Sequence, residues 1–440
     1  MSSERADQTK FSTATRIVRR APQARPRTLS AEICVLGAGI AGVSAALEAA
    51  RLGRKVVLID SLPALGGQAV NSIIGTFCGL FANGAHGFQL THGIADDILR
   101  TLDAQGALHY RHGGPSNTIV VMYDEVALSR WIEEAIRTSG TTVVLGAVLR
   151  EVTRDGGRVC TLELATRYGE VTLSAEGFID ASGDAALAWQ AGFPCREPAD
   201  GPIYGTQMMV IEQIDEARQP SRAEVAERAR AKAADYGLVR TNGFAFLFPG
   251  RGTALVNFTH VETPLDPVDA SRTALAGKAQ ADRVFDFLKH EYPQAFGAAR
   301  VRSYGLPGIR QTRWIQGRQQ LTLADVRAGT KFPDAVARTG WPIELHDRPD
   351  SYVWEAFADD HLHYVPLGSL VPVEADNLVA VGRCIDADTA ALSSVRVMGP
   401  CIAMGAAAAH ALDLAGRGSV QQIDIATLRK RVWHNVDQMG

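Results

Sequence analysis

None of the six cysteines, Cys34, Cys78, Cys160, Cys195, Cys384 and Cys401, stands in a C-x-x-C pair. That spacing excludes a readable zinc site and a four-cysteine iron–sulfur run, so no metal is expected. Scattered free thiols fit a reducing compartment, and the expected location is the cytoplasm. No apolar run reaches the roughly 20 residues of a membrane-spanning helix. Charge of neither sign dominates, since 45 Lys and Arg face 48 Asp and Glu for a net of -3. No strong field therefore draws the chain to nucleic acid or anionic lipid. Arg19-Arg20 is not followed by an apolar stretch, which argues against an export signal. Residues 1–30 read as a basic, disordered tail.

Glycine is the residue in excess, 42 of 440, against an ordinary share of about 7%. Such an excess points to tight turns and to backbone that closely approaches a ligand. The first case is Gly37-Ala38-Gly39-Ile40-Ala41-Gly42. It follows the apolar run Glu32–Leu36 and precedes an Ala-rich helical stretch from about Ile40 to Leu52. A second apolar run, Lys55–Ile59, completes a strand–helix–strand unit with a parallel pair. In this context Gly37 permits the turn, Gly39 lets backbone N–H groups reach a pyrophosphate, and Gly42 allows close helix–strand packing. Asp60 ends the second strand, where its carboxylate is placed to accept hydrogen bonds from an adenosine ribose.

NAD and FAD proteins share that fingerprint, and three later features favour FAD. Gly66-Gly67, with Gln68 beside it, follows Asp60 closely and resembles the doublet that lies beside the diphosphate in FAD proteins. Asp180-Ala181-Ser182-Gly183-Asp184 ends the apolar strand Gly177–Ile179. Gly382-Arg383-Cys384 through Met398-Gly399-Pro400 leads into a small-residue helix. A helix beginning at Pro400 would aim its positive end at an anion. Val148, in the expected strand 142–149, joins the candidate cofactor contacts. The Gly-rich segment 61–93 is too long for a plain connection and is expected to lie over the cofactor. Within it, Cys78 and His86 are candidates for packing against the flavin rather than for a covalent tether.

The chain resembles the FAD-dependent oxidoreductase family that neighbours the flavoproteins of heterodisulfide reductase and, more distantly, of fumarate reductase. The likeness runs from about residue 31 to 416. It is densest at Ile309–Val326, Trp341–Asp347 and Asn377–Gly405. It implies an α/β fold, with a Rossmann-like FAD-binding domain of glutathione-reductase type and an inserted α+β substrate domain. The FAD-binding domain would comprise 31–194 and 371–416, the insert 195–370, and a C-terminal helix or tail 417–440. The strand at Leu378–Val381 would then pack with the strand starting at Ile33. The family commonly reads Arg-Glu-Ser-Arg-Arg where this chain has Arg310-Gln311-Thr312-Arg313-Trp314. It often has Arg where Gly368 precedes Ser369. These departures imply a less charged substrate, and the missing cysteine motif implies no iron–sulfur chemistry.

Candidate chemistry sits in the insert. Arg310 and Arg313 are placed to bind an anionic or carbonyl-bearing small molecule, because guanidinium groups hold carboxylates bidentately. Their plainer role is a structural ion pair. His346, and His363 facing the same side as His361, are candidate acid–base groups. Surface or packing roles compete with that assignment. The expected activity is hydride transfer between a small organic substrate and FAD, with the electron acceptor left open and a homo-oligomer allowed. Two other readings remain open: an electron-relay FAD subunit within a larger complex, and a monooxygenase of the aromatic-hydroxylase type. Against the latter, Arg383 stands where such enzymes place an Asp.

Overall fold

The computed structural model describes residues 15–20, 25–114 and 116–438. Most of the expected basic tail, 1–14 and 21–24, lies outside the described residues. Residues 27–30 depart from that expectation. They open strand β1, Arg27–Leu36, and pair in parallel with Val171–Ser174. A strand partner satisfies their backbone groups, which composition alone does not reveal.

Strand β1, helix α1 (Ile40–Arg51) and strand β2 (Val56–Asp60) form the first unit. Every residue of β2 is buried, as expected for a parallel strand covered on both faces. The sheet continues on one side of β2 with Thr142–Leu145, parallel to it. On the other side, β1 lies beside Gly169–Asp180. That long strand uses its far edge twice. Its first half pairs with Arg158–Thr166, itself paired to Ala147–Asp155 around a Gly156-Gly157 turn. Its last residues, Phe178–Asp180, pair with Leu378–Ala380. The late strand therefore joins the sheet one place further out than expected, separated from β1 by Gly169–Asp180. Asn377 fixes it there. Its side chain accepts from Val159 N at 2.8 Å and donates to the carbonyls of Val159 and Glu176, both at 2.9 Å.

The closing helix, Met398–Ala415, packs across α1. Gly405 makes this possible, because a Cβ there would meet the Ala41 carbonyl oxygen at 2.2 Å. The helix is long and apolar enough to cross a membrane by composition, yet 83% of it is buried inside the protein. It is the core helix of the fold. It starts at Met398, not Pro400, with Val397 as N-cap.

A second, four-stranded antiparallel sheet is built from Met209–Glu212, Phe244–Phe248, Thr253–Asn257 and Arg300–Tyr304. Two helices cover it. Arg222–Tyr236 starts at a Ser221/Glu224 capping box and stops at left-handed Gly237. Pro267–Glu291 starts with Asp266 as N-cap and Pro267 in the first turn. This sheet has its own apolar core around Met209, Ile211, Val284 and Phe287. Its other face looks toward the end of the first sheet where β1 and β2 finish.

Candidate functional site

One cavity of about 770 Å³ joins the two sheets, within the range of about 300–1,000 Å³ usual for small-ligand and cofactor sites. Its first end is the Gly loop. Gly37 has φ +104, and a Cβ there would strike the Ala181 carbonyl at 2.3 Å. Gly42 is tighter still, with its virtual Cβ 1.9 Å from the Gly37 oxygen. Gly67 presses on Gly39 in the same way, at 2.5 Å from its Cα. Gly39 alone of this group meets nothing within 4 Å. It is the N-cap of α1, without a side-chain cap, so the first N–H groups of the helix face open space. An anion fits there.

Asp60 is buried beside this cradle and lines the cavity. Its Oδ2 accepts from Ala38 N at 2.6 Å and its Oδ1 from Leu62 N at 2.7 Å. Burial raises its pKa, and these two N–H groups oppose the rise. Each oxygen keeps one further acceptor site for a sugar hydroxyl. The carboxylate therefore ties the Gly loop to the next turn as well as forming the wall of a ribose site. Asp60→Ala is expected to weaken FAD binding about 100- to 10,000-fold, because two charge-assisted hydrogen bonds of about 1.5–3 kcal/mol each are at stake. Quenching of FAD fluorescence on titration into the apoprotein measures this.

Midway, Ser182 and Gly183 line the cavity with Gly382 and Arg383. Arg383 donates to Asp184 Oδ1 at 2.7 Å and to Thr312 Oγ1 at 3.0 Å, and Thr312 donates to the same carboxylate oxygen at 2.5 Å. Desolvation raises the Asp184 pKa, but Arg383 and Thr312 outweigh it, and the net shift is downward. Asp180 has a different task. Fully buried, it accepts from the backbone N–H groups of Ser182, Leu187 and Ala188 and from the Ser182 hydroxyl. It fixes the turn that presents Ser182 and Gly183.

At the far end the walls are Met208, Phe244, Phe246 and Asn257 from the second sheet, facing Trp341, Glu344, Tyr352 and Trp354. Arg310 and Arg396 also line this end. Arg310 is buried and donates to the Tyr204 carbonyl at 2.7 Å. Burial, with Arg396 and Arg240 nearby, holds its pKa well below the ordinary arginine value. Arg240 is buried behind Tyr352, bonded to Asn242 and Asn257, and its pKa is pushed down to about 10 by desolvation. Val397 and Met398 bring the start of the closing helix to the same wall.

Of the residues singled out from sequence, Gly37, Gly39, Asp60, Gly67, Gln68, Ser182, Gly183, Gly382, Met398 and Arg310 line this one cavity. The others lie elsewhere. Gly42 packs on the Gly37 carbonyl behind the loop, and Gly66 donates its N–H to the Ala38 carbonyl at 2.8 Å. Gly399 packs on the 75–81 loop, its virtual Cβ 2.3 Å from the Gly79 oxygen. Val148 is 56% exposed on the outer hairpin, because its strand leaves the parallel region. Arg313 pairs with Glu197 at 3.1 Å and lies over the Trp189 ring at 4.0 Å, facing away from the cavity. His363 is buried and bonded to Ser394 Oγ at 2.8 Å. His346 is also fully buried, one step behind the wall. In the 61–93 segment, Cys78 lines the cavity, with burial raising its thiol pKa to about 12, while His86 is exposed. No group of three metal-ligating side chains occurs among the described residues.

Sequence reasoning passes over Arg240, His260 and Tyr352, which come from stretches without a motif. Glu344 and Arg396 sit in stretches that carry the family resemblance, but spacing gives them no role. Only the folded chain brings Glu344, Tyr352 and Arg396 to one wall, with Arg240 and His260 packed behind it.

The family model for FAD dependent oxidoreductases matches residues 32–432. The chain belongs to that family. It is an enzyme, and its cofactor is FAD, in keeping with the open Gly39 cradle and the Asp60 wall. No curated protein matches the sequence. Among solved structures, p-nitrophenol 4-monooxygenase PnpA from Pseudomonas putida is 12% identical. It matches over 93% of this chain and 85% of its own, with a TM-score of 0.50. A geranylgeranyl bacteriochlorophyll reductase-like protein from Thermoplasma acidophilum is 13% identical over 94% and 93%, with a TM-score of 0.46. At 12% identity the likeness to the monooxygenase is one of fold.

Proposed function

We propose that this FAD-dependent oxidoreductase is of the dehydrogenase or reductase type and exchanges hydride with a small organic substrate held at the far end of the cavity. The FAD lobe is read as glutathione-reductase-like and the region 195–370 as an inserted substrate domain, in a cytoplasmic protein. One observation carries the reading. A single cavity runs from the Gly39 cradle to a wall of aromatic side chains and the buried Arg310, so cofactor and substrate share one space. Bound flavin supplies the hydride chemistry. The chain's own residues do the rest. Gly39 and the start of α1 hold the diphosphate. Arg310, oriented by the Tyr204 carbonyl, binds a substrate carboxylate or carbonyl. Trp341, Trp354 and Phe246 exclude water.

Arg310→Ala is expected to raise KM about 10- to 100-fold, the loss of one charge-assisted contact, while FAD content stays unchanged. Full activity in that variant would refute the substrate assignment and leave the cofactor assignment standing. The aromatic lining of the cavity favours a second reading, an aromatic-hydroxylase-type monooxygenase. Anaerobic mixing separates them. A dehydrogenase is bleached by its substrate alone, whereas a monooxygenase needs an external reductant first and oxygen afterwards.

A further inference from the structure

Behind the cavity wall, three titratable side chains are joined end to end, and the direction of every bond can be deduced. His260, 1% exposed, has Nδ1 at 2.8 Å from the Pro349 carbonyl oxygen. A carbonyl only accepts, so Nδ1 carries the hydrogen. His260 Nε2 lies 2.9 Å from His346 Nδ1. A neutral His260 already has its one hydrogen on Nδ1, so Nε2 accepts and His346 Nδ1 donates. Desolvation, with Arg240 and Arg310 nearby, lowers the His260 pKa to about 3 and keeps that ring neutral. His346 Nε2 then faces Glu344 Oε1 at 3.1 Å. Ionised Glu344 against a bare imidazole nitrogen would set two acceptors in contact. One more proton must lie between them. The other carboxyl oxygen, Oε2, accepts from Trp341 Nε1 at 3.2 Å.

Other groups fix the chain further. The Tyr352 ring stacks on His346 at 4.7 Å, and the Tyr204 ring stacks on His260 at 5.5 Å. Burial, and after it the guanidinium groups of Arg310, Arg240 and Arg396 together with His260, disfavours an imidazolium at His346. With the imidazolium disfavoured, the shared proton lies on Glu344 Oε1, against the pull of the same guanidinium groups on that carboxyl. Of the three chain members Glu344 alone lines the cavity, with 24% of its side chain exposed against none for His346.

We infer that Glu344, His346 and His260 hold one shared proton at the cavity wall, and that Glu344 is the group that exchanges it with a bound ligand. The inference rests on reading this cavity as the substrate site. In the exchange, the Glu344 Oε1–H bond breaks and the proton moves to a basic atom of the ligand. The carboxylate left behind keeps the Trp341 N–H. It also faces the lone pair of His346 Nε2, a repulsion that drives reloading. In the opposite direction the same carboxylate takes a proton from the ligand. Glu344 is thus the catalytic acid and base, and His346 and His260 are positioning residues.

The experiment uses the FAD-loaded protein with ¹⁵N-labelled histidine, as wild type and as Glu344→Gln. Neutral Gln donates its amide N–H to His346 Nε2 and accepts from Trp341, so it preserves the chain while removing its titratable proton. At neutral pH, NMR is expected to find His260 and His346 both protonated at Nδ1 and bare at Nε2, in both proteins. Infrared spectra are expected to contain a carboxylic-acid band in the wild type that is missing from Glu344→Gln. His346 protonated at Nε2 and bare at Nδ1, or no acid band in the wild type, would overturn the inference. Failure of the underlying reading would register differently, as an unchanged KM in Arg310→Ala with these spectra as expected.

Discussion

Gly39→Leu is expected to give a folded protein that no longer binds FAD, whereas Gly42→Ala is expected to damage the fold itself. The two glycines lie three residues apart in one motif and differ in what surrounds them. Gly39 has φ -68 and ψ 177, an extended conformation that any residue adopts, and its virtual Cβ meets nothing within 4 Å. Leucine enters the cavity there without strain, so the apoprotein should unfold within about 0.5 kcal/mol of wild type. The side chain would fill the space above the first N–H groups of α1, where the diphosphate needs close backbone approach. Losing two hydrogen bonds to a charged group, at about 2 kcal/mol each, corresponds to about a thousand-fold weaker FAD binding. At Gly42 a Cβ would lie 1.9 Å from the Gly37 oxygen and 3.0 Å from the Ala181 Cβ. Overpacking of that kind costs about 1–3 kcal/mol or more. Urea unfolding of the apoproteins and FAD titration separate the two effects. If Gly39→Leu bound FAD as tightly as wild type, the diphosphate would not lie at α1.

How much can be read from the chain alone follows from how far apart the deciding atoms are in sequence. The Gly loop, the end of β2 and the 180–184 turn are legible because their demands are local: a turn, a close approach, an acid at a strand end. The helices at 125–138 and 222–236 are legible from Asp124 as N-cap and the Ser221/Glu224 box. The strand Arg300–Tyr304 is not. Its five residues, Arg-Val-Arg-Ser-Tyr, hold one aliphatic side chain, and only its pairing with Met209–Glu212 makes it a strand. His363 shows the limit for site residues. A histidine in an extended segment reads the same whether it faces a cavity or, as here, is buried against Ser394. Arg313, three residues from Arg310, points the other way because Glu197 and Trp189 hold it there. Glu344 has no signal of its own, since its partner His346 is itself set by His260, far away in sequence.

Mild acid is expected to destabilise the protein steeply, through histidines that the fold keeps neutral. His260 and His363 are 1% and 0% exposed. Burial, helped by Arg240 and Arg310 for His260 and by His361 for His363, lowers both pKa values to about 3. In the unfolded chain both return to about 6.5. Between these values the unfolded state binds more protons than the native state, so stability falls as pH falls. The contribution is fully present above about pH 6.5 and is lost progressively toward pH 3. Each group costs about 1.4 kcal/mol per pH unit once well below 6.5. From about pH 6.5 to 5.0 the pair therefore removes about 3 kcal/mol, a large part of the 5–15 kcal/mol typical of a folded domain. His363 isolates its own share. Its Nε2 donates to Ser394, whose hydroxyl donates onward to the Trp341 carbonyl at 2.5 Å. Its Nδ1 has no partner, so nothing there rewards protonation. His363→Gln can keep the Ser394 contact through its amide N–H and cannot titrate. Urea unfolding at about pH 7.0 and 5.0 should then show a loss about 1.5 kcal/mol smaller than in wild type. An equal loss in both proteins would mean that His363 is protonated in the native state, which its burial forbids.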